Sequence, residues 1–386
     1  MEITGIVCEF NPFHNGHKSL IESVKKTHKD SYILCLMSGH FVQRGEPALF
    51  DRSIRTKAAL KCGADLVAEL PVCYTLQSAE GFASGSVSVF NDIACVNRLA
   101  FGSEIGNIDR LSNLAEEIIN NGDMIDQKIK NDLSTGAPYG KILTNAISEF
   151  CNEAHLLDQP NNLLAVEYIK AIKNIGSSII PATYSRAEGF TISSASVLRE
   201  MILSGNKDKA MEYVPDEIKN DYLSYPDSGL VTLNDFWSVI CYMLRSGIYD
   251  ISGIQGISEG FDNKLIEAAM DSTDYNDFIS KVSQKRFSGS RLKRILISIM
   301  LMINKSDSKI AGKNYLRVLG YRKESSGLLS EICRRSKCPV ITQASELKEI
   351  STHNVLAAKD ILASDLYAMA ARQAGRKEFL NRLIVL

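Results

Sequence analysis

The sequence predicts an α/β protein, an open parallel sheet covered by helices and followed by a mainly α-helical C-terminal region, and three observations predict it. Short apolar runs alternate with amphipathic patterns through about the first two hundred residues, which is the βαβ rhythm of a parallel sheet. Past Ser204 the apolar residues recur three and four apart, the period of helices packed as a bundle. The 386 residues are 45% apolar and 23% charged, near the globular average, which excludes a fibrous or largely unfolded chain. This length exceeds what one core usually fills, so we expect two units, 1–204 and 205–386.

In chain order, "ITGIVCEF", "SYILCLMS", "DLVAELPV", "NRLAFGS" and "SSIIPATY" read as strands buried on both faces, because they are near-continuous apolar runs between turn residues. "HKSLIESVKKT", "DRSIRTKAALKCG" and "NLAEEIINN" read as the helices between them, and a helical stretch from Gly122 to Ile175 delays the last strand. "DFWSVICYMLRSGI", "NKLIEAAMDS", "YNDFISKVS" and "SRLKRILISIMLMINK" follow as amphipathic helices. A small mixed α/β segment is expected near 314–345.

The net charge of −1 gives no global field, so an anionic partner must be held by local basic patches. Nine scattered cysteines, odd in number and mostly within apolar runs, suit free thiols in a reducing cytoplasm. The one close pair, in "CRRSKC", lacks metal-ligand spacing, so no metal site is expected. "MEITGIVCEF" is no signal peptide, and no apolar stretch reaches the roughly 18 residues a membrane span requires. The expected localisation is cytoplasmic, with no membrane partner.

"NPFHNGH" follows the first strand and opens the first helix, so His14 and His17 flank any anion held at that helix N-terminus. Gly16 lets the backbone approach a phosphate. In an open parallel sheet this is the ligand end of the strand. "SGHFVQRGEPA" sets Ser38, His40, Gln43 and Arg44 at a second strand end, which reads either as a ligand contact or as a polar loop with Arg44 solvated. In "DRSIRTKAALK", Arg52, Arg55 and Lys57 read either as facing phosphates or RNA or as a solvated helix face. Further on, Leu292, Ile295, Leu296 and Ile299 trace one helical face for the core. Lys285, Arg286, Arg291, Lys293 and Arg294 lie off it and suit RNA phosphates.

HNGH resembles the HxGH signature of the nucleotidyltransferases, and "TISSASVLREM" resembles their second hallmark, an ISSTxIR-like helix start, with Ala195 and Leu198 as departures. The resemblance implies a Rossmann-like, HUP-type nucleotidyltransferase domain. It implies imidazoles that stabilise charge on the α-phosphorus as pyrophosphate leaves, and Ser194, Ser196 and Arg199 on the outer phosphates. Together with "MSGHFVQRGEPALFDRSIRTKAALKCGADLVAELP", "QSAEGFASGSVSVF", "FGSE", "QPNNLLAVEYIKAI", "KRFSGSRLKRILISIML" and "YLRVLGY", the chain is similar nearly end to end to the bacterial tRNA(Met) cytidine acetate ligase family. That family makes acetyl-adenylate from ATP and acetate, then acetylates N4 of the wobble cytidine of elongator tRNA(Met). The resemblance implies an ATP site formed by Val7, Cys8, Glu9, Phe10, Asn11, Pro12, Phe13, His14, Asn15, Gly16, His17, Lys18, Ser19 and Leu20. Gly102, Asn161 or Asn162, and Arg186 complete it. Around Arg186, "RAEGF" departs from the family's usual continuation to Gly-Tyr-His. Mg2+ is expected with ATP, although no carboxylate cluster announces a protein-bound site. A metabolic adenylyltransferase acting on a small phosphorylated substrate is the alternative, and it leaves the helical half and its basic segment without a task. An RNA-binding module with a vestigial nucleotide site sits poorly with the intact HNGH and SSAS elements.

Overall fold

The computed structural model describes residues 1–132, 139–185, 195–258, 260–283, 289–309, 314–380 and 382–386. Five strands expected from the sequence form at β1 (Glu2–Cys8), β2 (Ser31–Ser38), β5 (Leu66–Leu70), β6 (Arg98–Ser103) and β7 (Ile180–Ser185). A short hairpin, β3 (Phe41–Val42) and β4 (Glu46–Pro47), follows β2. The five strands run parallel in the order β5-β2-β1-β6-β7. Residues 33–37 and 66–68 are fully buried because helices cover both faces. The edge strand β7, expected to be buried on both faces, is partly exposed, with Ile180 open to solvent because no strand pairs beyond it among the described residues.

Helix α1 (Asn15–Thr27) connects β1 to β2, and α2 (Arg52–Lys61) precedes β5. The chain goes from β1 outward to β2 and β5, then returns to the other side of β1 as β6. The switch point therefore lies between the carboxyl ends of β1 and β6.

The late α/β segment supplies β8 (Leu316–Tyr321) and β9 (Val340–Ile341), and β10 (Ile384–Val385) follows. These strands extend the same sheet. β8 pairs antiparallel with β5, matching Glu69 to Arg317 and Val67 to Gly320, while β9 and β10 run parallel to β8. Gly320 is required there, since a Cβ would stand 2.6 Å from the Ile384 carbonyl oxygen. The anticipated helices form at Trp237–Arg245, Phe261–Asp271, Tyr275–Val282 and Gly289–Met300. Their apolar faces, including Ile240, Leu265, Phe278 and Leu296, share one core with Phe41 and Leu70 of the sheet region.

A buried charge network ties these pieces together. Arg52 on α2 donates to both Glu69 oxygens at 2.7 Å and to Glu378 at 2.8 Å. Arg317 on β8 pairs with Glu69 at 3.4 Å and also with Glu378. Two guanidiniums thus face two carboxylates, all under one tenth exposed. Burial alone would raise the Glu378 carboxyl, but Arg52 and Arg317 hold it well below its ordinary range.

Candidate active site

The turn after β1 is built by long-range contacts. Asn11 accepts the Leu49 amide at 2.8 Å through Oδ1, and the Phe13 amide donates at 3.0 Å to the Tyr222 hydroxyl. Tyr222 lies flat on Phe50 with ring centroids 4.3 Å apart. Phe10 adopts a left-handed φ of 48°, a conformation costly to a residue with a Cβ and typical of functional turns. Cys8 and Phe10 are buried, Val7 and Glu9 partly so.

The two histidines cap α1 reciprocally. His14 is the N-cap, its Nδ1 accepting the Gly16 amide at 3.0 Å, and His17 Nδ1 accepts the His14 amide at 3.2 Å. Because each Nδ1 accepts a backbone N–H, each neutral ring carries its proton on Nε2. The rings stack at 3.8 Å, with Phe10 edge-on to His17 at 5.1 Å. A side chain at position 16 would come within 2.9 Å of His14 Cε1, so Gly16 gives the ring its room. The capping box that starts the helix therefore also fixes the tautomer and orientation of both imidazoles.

Arg199 reaches this turn from the helix Ala195–Leu203. Its Nη1 donates to the Asn11 carbonyl at 2.8 Å and its Nη2 to Ser196 Oγ at 3.2 Å, and it pairs with Glu46 at 2.9 Å. Arg44 lies near the same Ser196 hydroxyl at 3.5 Å. Lys293 pairs with the other Glu46 oxygen at 2.7 Å, Arg294 donates to the Gln43 carbonyl at 3.1 Å, and Arg291 donates to the Gly256 carbonyl at 3.2 Å. Burial pushes the Arg294 guanidinium down to about 10, with Arg291 adding repulsion. Lys293 and Arg294 thus pack on the 43–46 loop beside Arg199, while Arg291 turns to Gly256. Lys285 and Arg286, like Arg186 and Ser194, fall outside the described residues.

Glu46 was not anticipated. It bridges Arg199 and Lys293, and the only sequence signal was an acid one residue beyond Arg44 and Gly45. Glu9 lies at the end of β1, where its Oε1 accepts the Gln43 amide at 2.7 Å.

Continuing the β1–β6 register from Gly5 and Leu99 sets Gly102 level with Cys8, across the switch point. The "FGSE" turn after it is locked to the helix Pro160–Asn174. Glu104 accepts the Asn161 side-chain amide at 2.6 Å and the Asn162 backbone amide at 2.8 Å. Asn162 returns its Oδ1 to the Glu104 and Ile105 amides at 3.0 and 3.2 Å. Asn162 is therefore buried in holding the turn, whereas Asn161 keeps an accessible edge.

Asn15, Ser19 and Leu20 are partly exposed on α1, and Lys18 turns away to pair with Glu217. Arg52 and Arg55 are neither solvated nor phosphate-facing. Arg52 belongs to the buried network, and Arg55 braces the strand ends by donating to the carbonyls of Phe50, Glu9, Ser38 and Gly39. Their three-residue spacing, continued by Ala59, lays them on the inward face of α2. His40 likewise turns from the cleft toward Glu378, 3.4 Å away, over the Tyr367 ring. Lys57 lines a separate cavity of about 280 Å3 with Arg317, Gln343 and Arg382, which shares no residue with the HNGH turn. Among the described residues no group of three or more His, Cys, Asp or Glu side chains could hold a metal ion.

Residues 1–381 match the family model described as HIGH Nucleotidyl Transferase. The tRNA(Met) cytidine acetate ligase of Thermoanaerobacter sp. (strain X514) is 36% identical over 402 residues, covering all of both chains. The protein of that name from Clostridium perfringens (strain ATCC 13124) is 34% identical, with 95% of each chain covered. The chain belongs to the tRNA(Met) cytidine acetate ligase family. Thermotoga maritima TmcAL bound with alpha-thio ATP superposes on the whole chain with a TM-score of 0.91 at 28% identity. In this structure Arg199, beside Ser196, reaches the Asn11 carbonyl in the turn that leads to His14 and His17.

Proposed function

We propose that this chain is an ATP-dependent ligase that activates acetate as acetyl-adenylate and transfers the acetyl group to N4 of the wobble cytidine of elongator tRNA(Met). The observation that carries this reading is the capped, stacked His14–His17 pair at the switch point, with Arg199 bonded to Asn11 of the same turn, in a chain collinear with ligases of that name.

The exocyclic amine of cytidine is a poor nucleophile because its lone pair is delocalised into the ring, so it requires an activated acyl donor. ATP occupies the Val7–Leu20 turn and the ends of β1 and β6, with Gly102 and Asn161 at its edge. As the acetate oxygen attacks the α-phosphorus, the two imidazoles donate from Nε2 to the charge gathering on the phosphoryl oxygens. Arg199, Ser194 and Ser196 hold the outer phosphates, and Arg186 remains a candidate contact. Magnesium would enter with the triphosphate, neutralising part of its charge.

Arg291, Lys293 and Arg294 take up RNA phosphates beside this cleft, and Lys285 and Arg286 are candidate contacts from the sequence. The helical region from 205 onward serves as the tRNA-binding part of the chain. No helix among the described residues is long and apolar enough to cross a membrane, and nine free thiols suit a reducing cytoplasm.

The test is ATP–pyrophosphate exchange, run with and without acetate, followed by assay of labelled acetyl in tRNA(Met). Acetate-dependent exchange and label in the tRNA are expected. Exchange driven only by a small phosphorylated substrate would instead identify a metabolic adenylyltransferase.

A further inference from the structure

Glu9 is a carboxylate in a cleft built for anions. Around it stand Arg44 on the 43–46 loop, Arg199 on the helix Ala195–Leu203 and Arg294 on the helix Gly289–Met300, with Glu46 on β4 and Tyr168 on the helix Pro160–Asn174. Arg55 on α2 fixes its backbone carbonyl at 2.8 Å, and Cys8 precedes it on β1. Arg199 is occupied with Asn11, Ser196 and Glu46, and Arg294 with Gln43, while Arg44 is exposed and approaches Ser196 at 3.5 Å. Among the described residues Glu9 has no ion-pair partner, and its one side-chain hydrogen bond is the Gln43 amide on Oε1. Oε2 is left without a donor on a side chain that keeps an accessible edge.

Such a carboxylate opposes a triphosphate and suits a ligand that brings an N–H group. Resting on the ligase reading, we propose that Glu9 is a catalytic residue of the second half-reaction, accepting a hydrogen bond from the cytidine N4 amine and then its proton. A carboxylate pairing with cytosine N4 is also a favourable readout of that base against uracil, which has a carbonyl there. The N4 lone pair forms the new C–N bond at the acetyl carbonyl carbon. Collapse of the tetrahedral intermediate breaks the C–O bond to AMP, whose phosphate leaves with the electron pair, and the N4 proton passes to Glu9 Oε2. No oxidant, reductant or further reactant is needed. Burial raises the Glu9 carboxyl above its ordinary value against the opposing pull of Arg44 and Arg199, which moves a base nearer its working pH.

The experiment uses the full chain, ATP, labelled acetate and a tRNA(Met) transcript. It measures single-turnover acetyl transfer against pH in wild type and Glu9→Gln, beside acetate-dependent exchange in both. We expect wild-type transfer to rise with pH along a limb set by a carboxyl above the usual carboxylate range. Glu9→Gln is expected to lose that limb and to transfer about 10²- to 10⁴-fold more slowly, as for loss of a general base, a deficit at least about tenfold larger than any in exchange. A persisting acid limb in Glu9→Gln would overturn the assignment. So would an equal fall in exchange with a raised KM for ATP, which would give Glu9 to nucleotide recognition. Absence of acetate-dependent exchange in the wild type would instead remove the ligase reading on which the proposal stands.

Discussion

Replacing His14 separates two jobs that one side chain performs. As N-cap it accepts the Gly16 amide at 3.0 Å, and loss of such a cap costs about 0.5 to 2 kcal/mol of stability. As an oriented donor it stabilises charge on the α-phosphoryl group, and removing one preorganised donor costs about 2 to 4 kcal/mol in the barrier, or roughly 30- to 900-fold in rate. His14→Ala loses both. His14→Asn keeps an oxygen where Nδ1 stood, and Asn is among the best N-caps, yet it has no group at the Nε2 position. We therefore expect the unfolding midpoint in urea to fall in His14→Ala and to return close to wild type in His14→Asn. Acetate-dependent ATP–pyrophosphate exchange should stay 30- to 900-fold down, by the same estimate, in both. Full exchange in His14→Asn would refute the argument, because it would reduce the imidazole to a helix cap.

Three other outcomes follow from contacts already described. Arg199→Ala should weaken ATP far more than AMP in equilibrium binding, because only ATP carries the β- and γ-phosphates; equal weakening would give the arginine another task. Glu378→Gln leaves Arg52 and Arg317 facing a single carboxylate, Glu69, and should destabilise the protein by about 3 to 5 kcal/mol in denaturant titrations, as for a broken buried ion pair. Neutralising Arg291, Lys293 and Arg294 together should weaken tRNA binding and remove about 0.7 to 0.9 per lost phosphate contact from its log–log salt slope. It should also slow exchange, since Lys293 and Arg294 hold Glu46 and the Gln43 carbonyl; an unchanged salt slope would take the RNA surface elsewhere.

The parallel strands and the HNGH turn were legible because local signals decide them: uninterrupted apolar runs, an Asn-Pro break, and a polar residue at the first helix position. Of the second hallmark the structure describes residues from Ala195 onward, and the approach of Arg199 to the Asn11 carbonyl is a contact the sequence did not disclose. What the sequence did not disclose depends on partners far away in the chain. Nothing in "YLRVLGY" says that its neighbour is "LVAEL" some 250 positions earlier, or that it lies antiparallel in an otherwise parallel sheet. Arg52 and Arg55 were read as charges seeking solvent or phosphate, because a lone helix cannot show that Glu69, Glu378 and four carbonyls await them inside. The basic segment was legible as charge but not as position. Its closeness to the cleft comes from Gly45, whose missing side chain lets Lys293 and the Arg294 backbone approach to distances a Cβ would not allow.

The pairing of β8 with β5 sets an order on biosynthesis. A ribosome makes the switch point and both histidines early, yet the outer edge of β5 stays open until residues 316–321 have been added. Throughout that interval Glu69 and Arg52 lack Arg317, and the network closes only when Glu378 follows. A partly made chain thus holds a catalytic turn on an unfinished scaffold, with an exposed strand edge inviting improper pairing. Truncations that remove residues after 315 will reproduce that state, so this enzyme is better dissected by point substitution than by cutting.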